Sequence, residues 1–323
     1  MRKLFQKFRV WRRFKSQNSR AESEIHDSQD LQQFVELVPI LGSNDGREQP
    51  ISDSGEGVDL AFRAEIFDYH NRLMAWAEGA STGWPLRSFE EPTYKYFLDK
   101  FDSYFECENL EMYDHIHAVR FRNTAALLGV YLERASTLIE LGGLSRIGHF
   151  AEKAFGSRCD IYQKDLRLPF EIASSSIDCV LCLEVIEHIK DTYWSESSIE
   201  RIASFNYSGV NNVFSESFRI LKPGGCLLVT TPNASSTDVI LKVIRGEHPH
   251  VFEPHVREFA PIQIKSIGER VGFVLEAFGT MFAWGTGSEI ERDRVLRFIA
   301  EMGGDPSHRG DDAVFAFKKP PAA

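Results

Sequence analysis

An open α/β sheet with crossover helices is the fold that this sequence predicts, on two observations. From Leu138 onward, short apolar runs alternate with stretches of helical periodicity, and polar or glycine-containing turns separate them. The first run, Thr137–Glu140, ends in an acid and is followed by Gly142, Gly143 and an amphipathic stretch with Ile147, Phe150 and Ala154. Glycines at such a turn let backbone approach a ligand, and an acid at a strand end can take ribose hydroxyls.

Each element has its own signal. Leu60, Phe62, Ile66, Phe67, Leu73, Met74 and Ala77 recur at helical spacing over Val58–Glu78, and Gly79–Pro85 breaks that helix. Two further helices are expected over Thr93–Phe105 and Leu110–Glu133, as a cap or lead-in. The alternation then runs through strand Leu138–Leu141, a helix to Phe155, and strands Cys159–Tyr162 and Ile177–Leu183. Helix Gly209–Ile220 leads through the turn Pro223–Gly224–Gly225 to strand Cys226–Thr230. Helix Pro261–Val271 precedes strand Val274–Phe278. Arg309, Gly310, Asp311 and Asp312 open a hairpin into the last strand, Ala313–Lys318. No internal repeat is present. The expected organisation is a basic segment and acidic linker over 1–57, a helical cap or lead-in over 58–109, and a catalytic domain over 110–319.

Composition narrows the function. The chain has 323 residues, 43% hydrophobic and 26% charged, as globular proteins do. A net charge of −10 argues against an extended nucleic-acid surface. Its 5 cysteines lack framework spacing, which suits a reduced, cytoplasmic setting. No apolar run approaches the roughly 18 residues of a membrane span. Met1–Arg20 differs: it carries eight Lys or Arg and no acid, with Leu4, Phe8 and Trp11 at helical spacing. Such a segment could make peripheral contact with an anionic membrane surface, or dock on an acidic partner, or stay a solvated tail. Ala21–Asp59 follows with ten acids against one basic residue and reads as a linker.

Four features stand in a fixed order: DLRLPF over Asp165–Phe170; a polar turn feeding SIDCVLCL over Ser174–Leu183; EVIEHI with Glu184, Glu187 and His188; and SESFRILKPGGCLLVTTPN over Ser215–Asn233. Together they resemble the class I S-adenosylmethionine-dependent methyltransferases, especially their small-molecule and glycan branch, over about Leu110–Lys319. The resemblance implies a Rossmann-like, mostly parallel sheet with an N-terminal helical extension, and S-adenosylmethionine as cofactor. It implies that Glu140, Leu141, Gly142 and Gly143 wrap the methionine and ribose parts. Asp165 and Leu166 match the loop whose acid lies by the adenine amino group. Cys182, Leu183 and Glu184 match the strand end beside the sulfonium. The acid that relatives carry at the tip of their second strand has only Asp160 as a counterpart, as ribose ligand or as loop residue, and the helix after that strand is missing. Leu144 and Arg146 replace family glycines, so their side chains must point away from the ligand or block it.

The chemistry expected is O-methylation of a small-molecule or saccharide acceptor, for which a general base is useful because a free alcohol is a poor nucleophile. His188 follows the strand end, and His255, in HVREF (His255–Phe259), can reach the acceptor from the opposite rim. An imidazole titrates near neutrality, which suits proton removal. The bland alternatives are a helix cap for His188 and a local Arg257–Glu258 ion pair in the second loop. Phe278, Phe282 and Trp284 could line an acceptor pocket or belong to the core. HRGDDAVFAFKK resembles the ending of glycan-modifying methyltransferases. Two other functions stay open: a non-catalytic binding protein that keeps the fold, and a metal-assisted RNA ribose methyltransferase. The latter resembles enzymes of small-RNA 3′ ends in its ExxEH cluster, with a further ligand from His248, His250 or His255. No metal is expected on the preferred reading.

Overall fold

The computed structural model describes residues 91–191, 207–284 and 289–321. The basic segment, the linker and the helix expected over 58–78 lie outside the described residues.

The lead-in consists of α1 (Glu91–Glu106), α2 (Met112–Ile116) and α3 (Ala118–Leu132). Strand β1 (Thr137–Leu141) follows, then α4 (Arg146–Phe155), β2 (Arg158–Tyr162), β3 (Ile177–Leu183) and a single 3₁₀ turn, Ile186–His188. Helix α5 (Ser208–Ile220), β4 (Leu221–Pro232), α6 (Thr237–Ile244), α7 (Pro261–Val271), β5 (Val274–Met281), α8 (Glu289–Glu301) and β6 (Asp312–Lys318) complete the order. Helix α4 shows how locally these elements are specified. Ser145 caps it by accepting from the Ile147 and Gly148 amides, and Gly156 ends it in the left-handed conformation at φ 67°.

The six strands form one sheet in the order β2-β1-β3-β4-β6-β5. The pairs β1–β2, β1–β3 and β3–β4 are parallel, whereas β6 runs antiparallel to both β4 and β5. Residues directly across a ladder share a face, so Glu140, Leu181, Leu228 and Ala316 lie on one side of the sheet. Thr230 and Asp312 continue that face toward the strand ends, while Thr231 and Ala313 point to the other. Helices α3 and α4 cover the first face: a Cβ on Gly148 of α4 would lie 2.4 Å from Glu140 Oε2. Helices α5 and α7 cover the second, where Phe214 and Phe317 pack edge-to-face. The core is continuous from Phe97 and Phe101 of α1 to Phe317, so the described lead-in shares the hydrophobic core of the sheet.

Several expectations shift. The single helix expected over Leu110–Glu133 is two, divided at His117. The strand expected near Cys159–Tyr162 is present between Phe155 and Asp165, and, also as expected, it passes through a loop to β3 with no helix between them. The Pro223–Gly224–Gly225 turn is absorbed as an irregularity within β4: Ile177 faces Leu221 but Cys179 faces Cys226, and Gly224 takes φ 79°. β5 and β6 do pair antiparallel, but α8 connects them in place of a hairpin. Helices α6 and α8 had no expectation at all.

Gly129 tests the lead-in packing. A Cβ there would sit 2.4 Å from the Phe97 ring. Gly129→Ala should lose about 1–2 kcal/mol in urea denaturation, even after the roughly 1 kcal/mol Ala gains as a helix former. An unchanged midpoint would show that α1 does not pack on α3 in solution.

Candidate active site

The C-terminal ends of β1, β3 and β4 meet the start of β6 at one edge of the sheet, and the titratable side chains collect there. On the β1 side, Glu140 is 1% exposed and accepts from the Ser145 amide at 3.0 Å. Burial raises its pKa to about 7, against the pull of that hydrogen bond. The carboxylate thus ties the strand end to the cap of α4 and holds the turn between them.

Gly142 is the left-handed residue of this turn, at φ 90°, and a Cβ on it would lie 3.2 Å from Val185 Cγ2. Gly143 does not share that conformation, and a Cβ there would meet only the Gln163 amide, at 3.8 Å. Both replaced glycines turn their side chains away. Arg146 reaches the lead-in, where its Nε donates to Asp114 Oδ1 at 2.8 Å and its guanidinium also meets the Asn109 carbonyl. Leu144 folds back on α4, its Cδ1 placed 2.6 Å from where a Gly148 Cβ would be. Neither residue has positive φ. The bare backbone of Gly142 and Gly143 therefore remains a cradle that a Cβ would fill, and these residues fit the cofactor the motif implies.

The other expected cofactor residues are placed unevenly. Asp160 stands two residues before the end of β2, on the face opposite Glu140, and pairs there with Arg158. Gln163 is the residue just past the strand end, beside Gly143, and no motif singles it out. Asp165 is exposed in the following loop, held by Arg167 at 2.7 Å; hydrogen bonds from Arg167 lower its pKa to about 2. Leu166 is buried, and Asn212 of α5 fixes its carbonyl at 2.8 Å. The Cys182 side chain is fully buried in the sheet, so it is a core group, and only its backbone follows the strand toward the site.

Glu184 adopts φ 56°, an uncommon conformation for a residue with a side chain. Its amide donates to the Thr230 carbonyl at 3.0 Å, and Thr230 Oγ1 donates to its Oε1 at 2.7 Å. These two bonds hold the left-handed turn at the end of β3 and send the chain into the 3₁₀ turn. Glu187 there is fully buried and accepts from Thr231 Oγ1 at 3.0 Å. Burial, reinforced by the Glu184 charge, pushes its pKa well up.

His188 and His255 meet at this turn, with ring centroids 4.8 Å apart and edge-to-face. The loop is clamped by the Val256 and Arg257 amides, which donate to the Glu187 carbonyl at 2.9 and 3.2 Å. His255 Nδ1 donates to Glu258 Oε1 at 2.7 Å, and Glu258 also accepts from the Val251 and Phe252 amides. Burial works to raise the Glu258 pKa, but these hydrogen bonds outweigh it and hold the carboxyl below its ordinary range. Glu258 therefore stays ionised and fixes the His255 tautomer, leaving Nε2 with the lone pair. Arg257 pairs with Asp191 at 3.1 Å rather than with Glu258. Of the three candidate histidines, only His255 joins the ExxEH segment: one ligand atom each from Glu187, His188 and His255 lie within 4.8 Å of one another. That set could hold a divalent ion.

Helix α3 and its N-cap bring in Arg120 and His117, which the sequence did not single out, and His117 meets the candidate pocket residue Trp284. Arg120 is 3% exposed beside Glu184, and Trp284 Nε1 donates to His117 Nδ1 at 3.1 Å. Burial, with the Arg120 charge, lowers the His117 pKa to about 3, so it stays a neutral acceptor. Phe278 is core, packed on Phe315.

A methyltransferase-domain family profile matches residues 78–277, more than half of the chain. The chain belongs to the methyltransferase-domain family. It is a class I methyltransferase with S-adenosylmethionine as cofactor. No curated protein matches it by sequence. Similar solved structures include a SAM-dependent methyltransferase from Archaeoglobus fulgidus, at 14% identity and TM-score 0.40, covering 65% of this chain and 100% of that one. Another, from Methanosarcina mazei, has 11% identity and TM-score 0.38, with 60% and 97% covered. A phosphoethanolamine N-methyltransferase 2 from Haemonchus contortus has 17% identity and TM-score 0.40, with 72% and 62% covered.

The buried Glu140 gives this methyltransferase a pH signature. Its pKa rises from 4.5 to about 7 on folding, so between those values the folded chain keeps a proton that the unfolded chain has lost. Stability should fall as pH rises through that window, by up to on the order of 3 kcal/mol from this group. Glu140→Gln should flatten its share of the slope in cofactor-free urea titrations. Identical slopes in the two proteins would place Glu140 in contact with solvent.

Proposed function

We propose that this methyltransferase transfers the methyl group to a hydroxyl oxygen of a small-molecule or carbohydrate acceptor. The observation that carries the reading is the His188–His255 pair, with Glu258 fixing the His255 tautomer. An alcohol must lose its proton as it attacks, and an imidazole with a fixed lone pair beside the strand end is suited to take it. The bound cofactor supplies a methyl carbon on a positively charged sulfur, open to in-line attack. Gly142 and Gly143 let the backbone close on it, while Glu140 holds the turn in place. One histidine removes the proton and the other binds the acceptor. Glu258, kept ionised, stabilises the imidazolium that results at His255.

The surroundings of the pair favour a small acceptor over RNA. Glu187, Glu258 and Asp191 cluster there, and the nearby Arg257 is already engaged by Asp191. Phosphate-rich ligands need the opposite charge balance. The ending HRGDDAVFAFKK supports a saccharide or sugar-linked acceptor. A contact of residues 1–20 with anionic membrane would bring the enzyme near lipid-linked acceptors.

A screen of sugars and hydroxylated metabolites with labelled cofactor tests the reading. With the acceptor it identifies, alanine at the base should lower kcat by roughly 10²–10⁴-fold, with S-adenosylhomocysteine affinity nearly unchanged. Alanine at the acceptor-binding histidine should mainly raise KM. Full turnover in both His188→Ala and His255→Ala would leave proximity alone as the source of catalysis. Label appearing only on amines would refute the O-methyl assignment.

A further inference from the structure

A second polar cluster lies on the other side of β4, beneath the first turn of α3, and the histidine chemistry does not use it. Asp312 opens β6, across from Pro232 and Met281, and its side chain shares a sheet face with Thr230. Thr230 is the residue that holds Glu184. Arg120 comes down from α3 onto this face, its Nη1 3.9 Å from Glu184 Oε1 and its Nη2 3.4 Å from the Tyr113 hydroxyl. Asp312 and Arg120 are 0% and 3% exposed. Yet Arg120 Nε and both carboxylate oxygens of Asp312 have no hydrogen-bond partner among the described residues.

Fully desolvated groups of this kind are strongly unfavourable unless something completes their hydrogen bonds. Three apolar side chains would fill the same space at less cost. We propose that Arg120, Glu184 and Asp312 form an acceptor subsite that takes two neighbouring hydroxyl groups of a neutral polyol. This deepens the O-methyltransferase reading and rests on it for the identity of the reaction.

The charge pattern selects the ligand. An anionic group would meet Asp312 and Glu184, and an ammonium would meet Arg120. A hydroxyl both donates and accepts, so adjacent hydroxyls can donate a hydrogen bond to Glu184, pair with the Asp312 carboxyl in either protonation state, and accept from Arg120 Nε. Location agrees with the role. Along the sheet, β6 is separated from β1 by β3 and β4, roughly 14 Å from the glycine turn at the usual strand spacing. Asp312 therefore stands away from the glycine turn, while Glu184, just past the end of β3 beside β1, carries the cluster toward it. The cluster can orient a diol whose reacting oxygen faces the end of β3.

The test uses the full chain saturated with S-adenosylhomocysteine and the probes glycerol, erythritol and myo-inositol, with 1,3-propanediol as the non-vicinal control. Calorimetry should show saturable binding of at least one vicinal probe and none of the control. Asp312→Asn should weaken that binding by about tenfold or more, with S-adenosylhomocysteine affinity within about twofold. Its Tm should stay level or rise, because the variant keeps the side-chain shape and removes a buried carboxyl whose oxygens have no hydrogen-bond partner among the described residues. A Tm lowered by several degrees would make Asp312 a structural group. Absence of saturable diol binding, or equal binding by Asp312→Asn, would overturn the subsite. Diol binding with no methyl transfer to any hydroxyl would instead refute the O-methyl reading and leave the subsite standing.

Discussion

Desolvation of charge at the strand ends is the constraint around which this molecule is arranged. Glu140, Glu187, Asp311 and Asp312 are all essentially buried, as is Arg120, at the same end of one sheet. Burial raises the pKa of each of these carboxyls, and Asp311 reaches about 7 although it accepts from the Ala283 and Trp284 amides. A fold optimised for stability alone would put apolar groups here. The nearby hydrogen bonds read as supports for this choice: Ser145 under Glu140, Thr230 under Glu184, Thr231 under Glu187. The left-handed Glu184 belongs with them, because strained backbone persists where its surroundings over-determine it.

The end of β4 divides these groups between two sides. Thr230 and Thr231 are adjacent and point to opposite faces, so one serves Glu184 below α3 and the other serves Glu187 beside the histidines. On the proposed reading, proton removal and acceptor orientation fall on separate faces of the same strand. The glycine turn lies farther along the sheet and keeps its shape by other means. With Leu144 packed on α4 and Arg146 drawn to Asp114, the turn needs only Gly142 to be left-handed. The replacement of two glycines has in effect bound the lead-in to the motif helix, since Arg146 joins α4 to α2.

Much of the fold was legible because its signals are local. Ile177–Leu183 and Pro261–Val271 are bounded by the residues that periodicity and Pro at the helix start pick out. Cap signals do exist for α6, where Ser236 accepts from Val239, but they sit in a short apolar run that does not separate a helix from a loop. Helix α8 is weakly amphipathic and gave no periodic stripe. The sequence also paired His188 with His255, since motif order places both segments on one side of the sheet.

What the sequence by itself determined is the sheet, its strand-end acids and the class of chemistry, because alternation, turn residues and ordered motifs are short-range patterns. Tertiary structure decided how those residues are used. Which histidine of three joins Glu187, where Asp160 and Gln163 stand at the end of β2, and that Cys182 is core all depend on register between strands distant in the chain. Arg120 and Asp312 carry no motif. They are 192 positions apart by residue number, and only the packing of α3 onto β4 and β6 places them together without water, where their charge acquires its meaning.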